Sequence, residues 1–267
     1  MRRLFDAHVH LDLYGDAERE EIMENLDSSG IEGLVAVSMG MNSCIANRET
    51  AIRWSGRIMP AYGHHPELSP LEEPEVNVLC DWIRERDAGN EVFAIGEVGL
   101  PYYTRKDAET SGNAFDLKPY LFQLERFVRL AAELDKPIAL HAVYEDADVV
   151  MDMLERYAIR RAHFHWFKGS SAAIARIVRN GYMISITPDV LYEAAIKELA
   201  IRVPLRNLMV ETDGPWPFEG PFAGKPTVPG MVRDVLIEIA KLRSVEVKAV
   251  QEVVRRNCLS FYGWDDL

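Results

Sequence analysis

Eight short runs rich in β-branched and apolar residues alternate along the chain with segments of helical periodicity. They lie at residues 4–10, 33–39, 58–64, 92–98, 137–143, 162–167, 183–187 and 208–213. Several runs are apolar almost throughout, which is typical of parallel strands buried on both faces. Strands that alternate with helices favour a parallel sheet covered by helices. Eight such units within 267 residues therefore predict an α/β fold, a closed (β/α)8 TIM barrel.

The helical segments space their apolar residues by three and four positions. The clearest stripe is formed by Leu117, Leu121, Leu124, Val128 and Ala131. Another helix is predicted from Ser170 to Asn180, ending at Gly181, because serine and glycine are common at the two ends of a helix. Two further helices are predicted over 229–242 and 246–261.

Two segments that follow predicted strands lack this spacing. Residues 101–115 are polar, and residues 214–226 are crowded with glycine, proline and aromatic residues. We therefore expect long loops after the fourth and eighth strands.

No linker, repeat or low-complexity segment divides the chain, so we expect one domain over 1–267. Cys44, Cys80 and Cys258 are scattered and form no Cys-x-x-Cys pair, which favours a reducing compartment over a disulfide framework. No apolar run approaches a membrane span, and the opening MRRLFDAHVH contains no signal-peptide core. These features predict a cytoplasmic protein without a membrane partner.

The chain is acidic, with 30 basic and 42 acidic residues and a formal net charge of −12. Proteins that hold long duplexes do so through many basic contacts to phosphates, so this composition argues against such a surface. Nucleic-acid ends and small phosphoesters stay possible substrates if metal ions neutralise the local charge.

All seven histidines fall in or just after a predicted strand, and none falls in a predicted helix. They are His8, His10, His64, His65, His141, His163 and His165. The carboxyl ends of TIM-barrel strands form the face on which catalytic residues assemble. One such histidine could as well belong to the core, but surface helices normally hold some, so the joint distribution indicates a single site.

Two carboxylates belong to the same predicted rim. Glu97 lies inside the apolar run AIGEVGL, where a charge is costly unless it is paired or metal-bound, and Asp213 ends the eighth strand. They join four imidazoles, those of His8, His10, His141 and His165. This mixture suits one or two first-row divalent ions, and a carboxylate such as Glu97 can bridge a pair. Asp6 lies deeper in the first strand, where we expect a core partner.

The sequence resembles the TatD family of metal-dependent hydrolases, a branch of the amidohydrolase-like barrels. The matching segments follow family order from residue 5 to residue 263: FDAHVHLD, GHHPE, AIGEVGL, PIALHA, HWFKG, ETDGPW and RRNCLSFYG. The resemblance implies two divalent ions per subunit, with zinc, manganese, magnesium, cobalt and nickel all open. One ion is then expected on His8, His10, Glu97 and Asp213, and the other on Glu97, His141 and His165. The family is best known for DNase activity at the 3′ ends of DNA.

Several positions depart from the family pattern. The family often has aspartate where this chain has Pro101, and arginine where it has Val143. Lys168 replaces a small residue, and Thr227 and Val228 stand in place of an Asn-Glu pair. None of these positions is an expected metal ligand, so the departures bear on the substrate and not on the metals.

Four residues near the predicted ligands receive supporting roles. His65, in a His-Pro step that matches the family, is interpreted as a substrate contact, as is Lys168. His163 and Glu211 each precede a predicted ligand by two residues, and we expect them to orient those ligands from behind. His64 is left open between a substrate contact and a local turn.

Other side chains of the predicted rim bear on the substrate. The cations that follow strands are candidates for phosphate binding: Arg105, Lys106, Lys168 and Lys225. Trp216, Phe218 and Phe222 could stack on bases, but we expect them to pack the proline-rich loop onto the barrel.

The predicted function is metal-assisted hydrolysis of a phosphodiester at DNA ends, with Asp213 and Glu97 as catalytic carboxylates. Asp213 is expected to accept the proton of the attacking water. Two alternatives stay open. A hydrolase of another ester or amide, such as an aminoacyl-tRNA ester or a lactone, would use the same metals, and a metal-binding accessory protein would use them without catalysis. The sequence does not identify a protein partner.

Overall fold

Eight parallel strands form one sheet in the computed structural model, which describes residues 4–264. The strands are β1 (Leu4–Val9), β2 (Ile31–Val37), β3 (Ile58–Tyr62), β4 (Ala94–Gly99), β5 (Ile138–His141), β6 (Ala162–Phe164), β7 (Met183–Ile186) and β8 (Leu208–Val210). Each strand pairs with the next one along the chain, in the order β1 to β8. A strand lies within each of the eight predicted runs or overlaps it, so the predicted (β/α)8 barrel is confirmed.

The ring is completed where the chain leaves β8 and meets the end of β1. The N–H of Asp213 donates to the carbonyl of His8 at 2.9 Å, and the N–H of His10 donates to the carbonyl of Gly214 at 2.8 Å. These two bonds hold three predicted site residues against one another at the carboxyl end of the barrel.

Helices connect the strands and cover the outside of the sheet. Within the described residues they are α1 (Asp16–Glu24), α2 (Leu26–Ser29), α3 (Met41–Arg53), α4 (Glu73–Ala88), α5 (Tyr102–Thr110), α6 (Lys118–Glu133), α7 (Asp146–Arg156), α8 (Ser171–Arg179), α9 (Ala194–Arg202), α10 (Val232–Leu242) and α11 (Val247–Tyr262). None of them is long and apolar enough to cross a lipid bilayer.

The predicted helices are present. The apolar stripe is the buried face of α6, where Leu124 and Val128 are buried. The helix predicted from Ser170 is α8, which begins after Ser170 because its hydroxyl accepts from the N–H of Ala173 at 3.1 Å. The chain turns away at Gly181, whose φ of +75° favours glycine. The helices α10 and α11 correspond to the two predicted near the end of the chain.

The prediction of a loop over 101–115 is wrong for residues 102–110, which form α5. The helix buries none of its own residues, so its sequence carries no apolar stripe. The N–H groups of Tyr103 and Thr104 donate to the carboxylate of Glu67 at 2.9 and 2.7 Å. A carboxylate at a helix N-terminus satisfies free N–H groups and opposes the positive end of the helix dipole. This helix therefore begins with the help of a residue outside it.

Two apolar clusters hold the barrel together. The larger joins strand residues such as Ile95 and Leu140 to helix residues such as Phe127. The smaller joins residues of seven strands to the end of α11 and to Trp264. The three cysteines are buried and form no disulfide bond. Of the single domain predicted over 1–267, residues 1–3 and 265–267 lie outside the described part of the chain.

Candidate metal centre

The six predicted ligands lie on five strands or just beyond them. His8 belongs to β1, Glu97 to β4, and His141 is the last residue of β5. The other three follow the ends of β1, β6 and β8: His10, His165 and Asp213. None of the six is more than 8% exposed. The structure therefore brings all six into one buried cluster.

Glu97 lies at the centre of this cluster. Its Oε2 is 2.9 Å from His8 Nε2 and 3.2 Å from His10 Nε2. Its Oε1 is 2.7 Å from His165 Nε2 and 3.0 Å from His141 Nδ1. Within 3.2 Å, each carboxylate oxygen thus faces two imidazoles, which is an arrangement suited to a carboxylate that bridges two ions.

Asp213 faces the first of these pairs. Its Oδ1 is 3.5 Å from His8 Nε2 and 3.4 Å from His10 Nε2. This oxygen is buried and has no hydrogen-bond partner among the described residues. Asp213 also has a φ of +50°, which few residues other than glycine adopt. An unpartnered buried oxygen costs free energy, so its presence fits a side chain held in place for a cation.

The two carboxyl groups have opposite pKa shifts. Burial would raise the pKa of Glu97, but the imidazoles of His165 and His65 hold it well below its ordinary value. Burial raises the pKa of Asp213. Glu97 is therefore ionised, whereas Asp213 takes up a proton more readily. Neighbouring carboxyl groups with separated pKa values are typical of sites in which the two have different roles.

The donor atoms of the cluster form compact groups that could hold ions. One group is His8, His10 and Asp213, and another is Glu97, His141 and His165. Within each group the donor atoms lie within 4.8 Å of one another, and all the residues are buried. First-row divalent metals accept imidazole and carboxylate ligands, so these residues fit the metal pair predicted from the sequence.

His65 lies at the cluster itself. Its Nε2 is 3.3 Å from Glu97 Oε1, and with Glu97 and His10 it forms a further group able to hold an ion. Its predicted role as a substrate contact stays a prediction, beside this second possibility. His64 is 2.9 Å from the carbonyl of Ser69 through its Nε2 and belongs to the local turn.

A buried chain of hydrogen bonds lies behind His165. The hydroxyl of Ser185 donates to Glu211 at 2.5 Å and accepts from His163 Nε2 at 2.7 Å. His163 Nδ1 in turn accepts from the hydroxyl of Tyr262 at 2.7 Å. Burial lowers the pKa of His163 to about 3, so its ring is neutral. Glu211 ends this chain 3.6 Å from His165 Nδ1, which supports its predicted role in orienting that ring.

Asp6 is separate from the cluster. Its carboxylate accepts from the N–H of Thr212 at 2.9 Å and from the hydroxyl of the same residue. Burial raises the pKa of Asp6 well above its ordinary value. Asp6 therefore fixes the segment that leads to Asp213, as expected of a core partner.

Comparison with models of protein families matches residues 5–263 to the family described as TatD related DNase. The chain belongs to the TatD family. The resemblance that the sequence motifs indicate is thus confirmed over nearly the whole chain.

Individual TatD relatives agree with this assignment. A protein of Haemophilus influenzae named "Uncharacterized metal-dependent hydrolase" is 34% identical over 259 residues, which is 97% of this chain and 99% of the relative. Deoxyribonuclease TATDN3 of Homo sapiens is 24% identical over 97% of this chain and 94% of its own length. The crystal structure of the TatD homologue YJJV from Escherichia coli has a TM-score of 0.84 at 21% identity and covers 98% of both chains. That likeness supports the barrel fold.

A cavity of about 580 Å³ lies over the candidate metal ligands and is lined by His65, His141, His165 and Asp213. Val143 and Lys168, where this chain departs from the TatD pattern, also line it. Of the remaining departures, Thr227 contacts a cavity residue, because its hydroxyl donates to the carbonyl of Trp216 at 2.6 Å. Pro101 and Val228 do not belong to the lining.

The rim cations differ in what they contact. Arg105 lies 2.6 Å from the carboxylate of Asp146, and Lys106 lies 3.1 Å from each of two glutamate carboxylates. Lys225 donates to a backbone carbonyl in its own loop at 2.7 Å. Lys168 is the basic residue among those that line the cavity. It is thus the best placed of the four for a substrate phosphate.

The aromatic residues of 214–226 divide into two groups. Phe218 and Phe222 are buried and pack with Met231, as expected for a loop held onto the barrel. Trp216 departs from that expectation, because it is 44% exposed and lines the cavity.

Glu67 is a site residue that sequence reasoning missed. Its Oε1 lies 3.2 Å from His141 Nε2, so that nitrogen can donate to Glu67 while Nδ1 faces Glu97. Burial opposes ionisation of Glu67, but hydrogen bonds from His141 and Thr104 lower its pKa to about 2. Its one sequence signal is its position two residues after His65 in GHHPE.

Proposed function

We propose that this protein hydrolyses phosphodiester bonds with a pair of divalent metals and removes nucleotides from the 3′ end of DNA. The observation that carries the proposal is Glu97, whose two oxygens face separate pairs of imidazoles within 3.2 Å. A relative named deoxyribonuclease, similar over 97% of this chain, supports a nucleic-acid substrate.

Two sets of side chains would hold the metals. His8 and His10 face one oxygen of Glu97 and also lie beside Asp213 Oδ1, and His141 and His165 face the other oxygen of Glu97. Bound there, divalent ions would supply Lewis-acid stabilisation of the charge that develops on the phosphoryl oxygens, and would make the attacking water more acidic.

The chain's own residues provide the remaining steps. Asp213 accepts the proton of the attacking water at its carboxylate. Glu97 stays ionised and holds the imidazoles in place. Lys168, which lines the cavity, binds a phosphate oxygen that takes no part in bond cleavage.

The surroundings of the site favour chain ends over the interior of a duplex. The site lies in a concave cavity, whereas a long duplex needs a row of basic contacts to its phosphates. The net charge of −12 provides no such row. A single-stranded end can enter the cavity.

A second candidate is a hydrolase of carboxyl esters or lactones. The apolar side chains of Met39, Leu68 and Val143 in the cavity lining favour it, because an acyl group could bind there. The same metals would activate water against a carbonyl carbon.

One substrate panel tests both candidates. Metal-loaded protein is incubated with a 3′-labelled and a 5′-labelled single-stranded oligonucleotide, a closed circular duplex and a lactone series, with and without chelator. We expect stepwise loss of nucleotides from the 3′ end, an intact circle, and no reaction after chelation. Hydrolysis of lactones without cleavage of oligonucleotides would favour the second candidate. Equal rates on the circle and the oligonucleotide would exclude a preference for ends.

A further inference from the structure

Three aromatic side chains surround the cavity above the metal-binding residues. They are Tyr103, Trp166 and Trp216. Tyr103 is 45% exposed and Trp216 is 44% exposed, so both present large apolar rings at the opening. Apolar surface collected around one cavity is typical of a binding site, unlike single exposed residues. These rings form the aromatic wall of the site.

Trp166 is held in place by two buried carboxylates. Its N–H donates to Glu211 and its indole N–H donates to Asp189, each at 2.7 Å. Glu211 is 0% and Asp189 is 2% exposed. The ring of Phe218 packs beside the indole, with 5.5 Å between centroids. The indole is therefore fixed before any ligand arrives, which lowers the entropy cost of binding against it.

Each tryptophan of the aromatic wall is tied directly to a metal-binding residue. Trp166 follows His165 in the chain. The N–H of Trp216 donates to the carbonyl of Asp213 at 3.2 Å, and its own carbonyl accepts from Thr227. A group bound against these rings would thus lie next to the bond to be cleaved.

A single cation accompanies the aromatic wall. Lys168 Nζ lies 5.3 Å from the centroid of the Trp166 ring. The neighbouring Arg105 and Lys106 are bound to carboxylates, so they provide no path for further phosphates. A cavity of about 580 Å³ lies within the usual range for small-ligand sites, so its volume suits a single terminal nucleotide. The surroundings therefore match one planar ring attached to one phosphate.

We propose that Tyr103, Trp166 and Trp216 bind the base of the terminal nucleotide by stacking, and so make the enzyme selective for an end that carries a planar aromatic base. The inference rests on the proposed phosphodiester hydrolysis and names the part of the substrate that the site recognises. Stacking accepts every base, so selectivity between the four bases should be small.

Equilibrium binding of two probes tests this inference without turnover. Protein loaded with Zn²⁺ is titrated calorimetrically with thymidine 5′-monophosphate and with 2-deoxyribose 5-phosphate, which carries a hydroxyl in place of the base. We expect the nucleotide to bind about 5- to 150-fold more tightly, as expected when a base stacks on an aromatic side chain.

Three variants test whether the aromatic wall causes the difference in affinity between the two probes. Trp216→Leu should weaken nucleotide binding by about fivefold or more and leave the sugar phosphate unchanged, whereas Trp216→Phe should recover much of the loss. Phe122→Leu changes a similarly exposed aromatic residue on α6, outside the cavity lining, and should alter neither probe.

Equal affinity for the two probes in the parent protein would overturn the inference, as would an equal loss for both in Trp216→Leu. Oligonucleotide cleavage by the same preparations separates this result from the fate of the proposed function. If oligonucleotides are cleaved but the two probes bind equally, only the stacking inference is wrong. If the nucleotide binds selectively but oligonucleotides are not cleaved, the stacking inference holds and the proposed exonuclease activity is wrong. If neither is observed, both are wrong.

Discussion

Glu97 shows how a fully buried charge is retained in this barrel. Its carboxylate is 0% exposed, and a charge without partners at such a position would be strongly destabilising. The nearest partner, His165 Nε2, lies at 2.7 Å, and His8 Nε2 lies at 2.9 Å on the other oxygen. The surrounding imidazoles thus offset the free-energy cost of burying the Glu97 charge.

Asp213→Asn should separate chemistry from binding. Asparagine keeps the shape and one coordinating oxygen of aspartate but cannot accept a proton at neutral pH. We expect turnover to fall by about 10²- to 10⁴-fold, with much of the metal retained. The measurement is kcat at saturating metal beside the metal content of the same preparation.

The exposed Asp148 on α7 provides the matched control, since Asp148→Asn makes the same change away from the site and should keep full turnover. Turnover of Asp213→Asn within a few-fold of the parent would show that Asp213 is only a ligand. Glu97 and His65 would then be the next candidates for the base.

We expect the folded protein to lose stability as the pH decreases, because His163 is held neutral in the folded state. Burial lowers its pKa to about 3 in the folded protein, from 6.5 in the unfolded chain. Below pH 6.5 the unfolded state therefore binds a proton that the folded state does not, and this favours unfolding. The loss is about 1.4 kcal/mol per pH unit down to about pH 3.

His163→Gln removes this titration while it keeps a donor and an acceptor. When the pH is lowered from 6 to 5, the free energy of unfolding of the variant minus that of the parent should increase by about 1.4 kcal/mol. Urea unfolding of both proteins with chelator present measures it. Parallel pH profiles would show that His163 is not held neutral.

At the scale of elements, the strands have a local sequence pattern that predicts them, whereas the helix α5 has none. Parallel strands buried on both faces appear as apolar runs, so all eight could be predicted. The helix α5 buries no residue of its own and begins at a carboxylate 36 residues away in the chain, so no local pattern marks it. Glu67 was missed for the same reason, because His141 lies 74 residues from it.

Glu67→Gln should loosen the start of α5. An uncharged amide keeps one acceptor oxygen but loses the charge that favours the helix N-terminus. Loss of a cap costs about 1 kcal/mol, so amide exchange at Tyr103 and Thr104 should quicken roughly five- to tenfold. Hydrogen exchange measured by NMR reports both amides.

Glu73→Gln on the exposed first turn of α4 is the control and should leave these amides unchanged. Unchanged exchange in Glu67→Gln would mean that the helix does not depend on this carboxylate.

For the whole molecule, the histidine distribution was informative because a barrel collects the ends of distant strands on one face. The motifs therefore predict that the six candidate ligands, from His8 to Asp213, lie together, and the structure places these side chains in one buried cluster. The cavity walls could not be predicted in the same way. The exposure of Trp216 depends on the path of a loop, fixed by its bonds to Asp213 and Thr227.

The central claim is that the buried cluster around Glu97 binds divalent metal. Elemental analysis of a His8→Ala/His10→Ala variant beside the parent tests it most directly. After reconstitution we expect about two equivalents of metal in the parent, as in two-metal hydrolases. The variant should lose most of this metal with its circular dichroism unchanged. His64→Ala, a change at the turn histidine, should keep it. Full metal occupancy in a folded His8→Ala/His10→Ala variant would contradict the account.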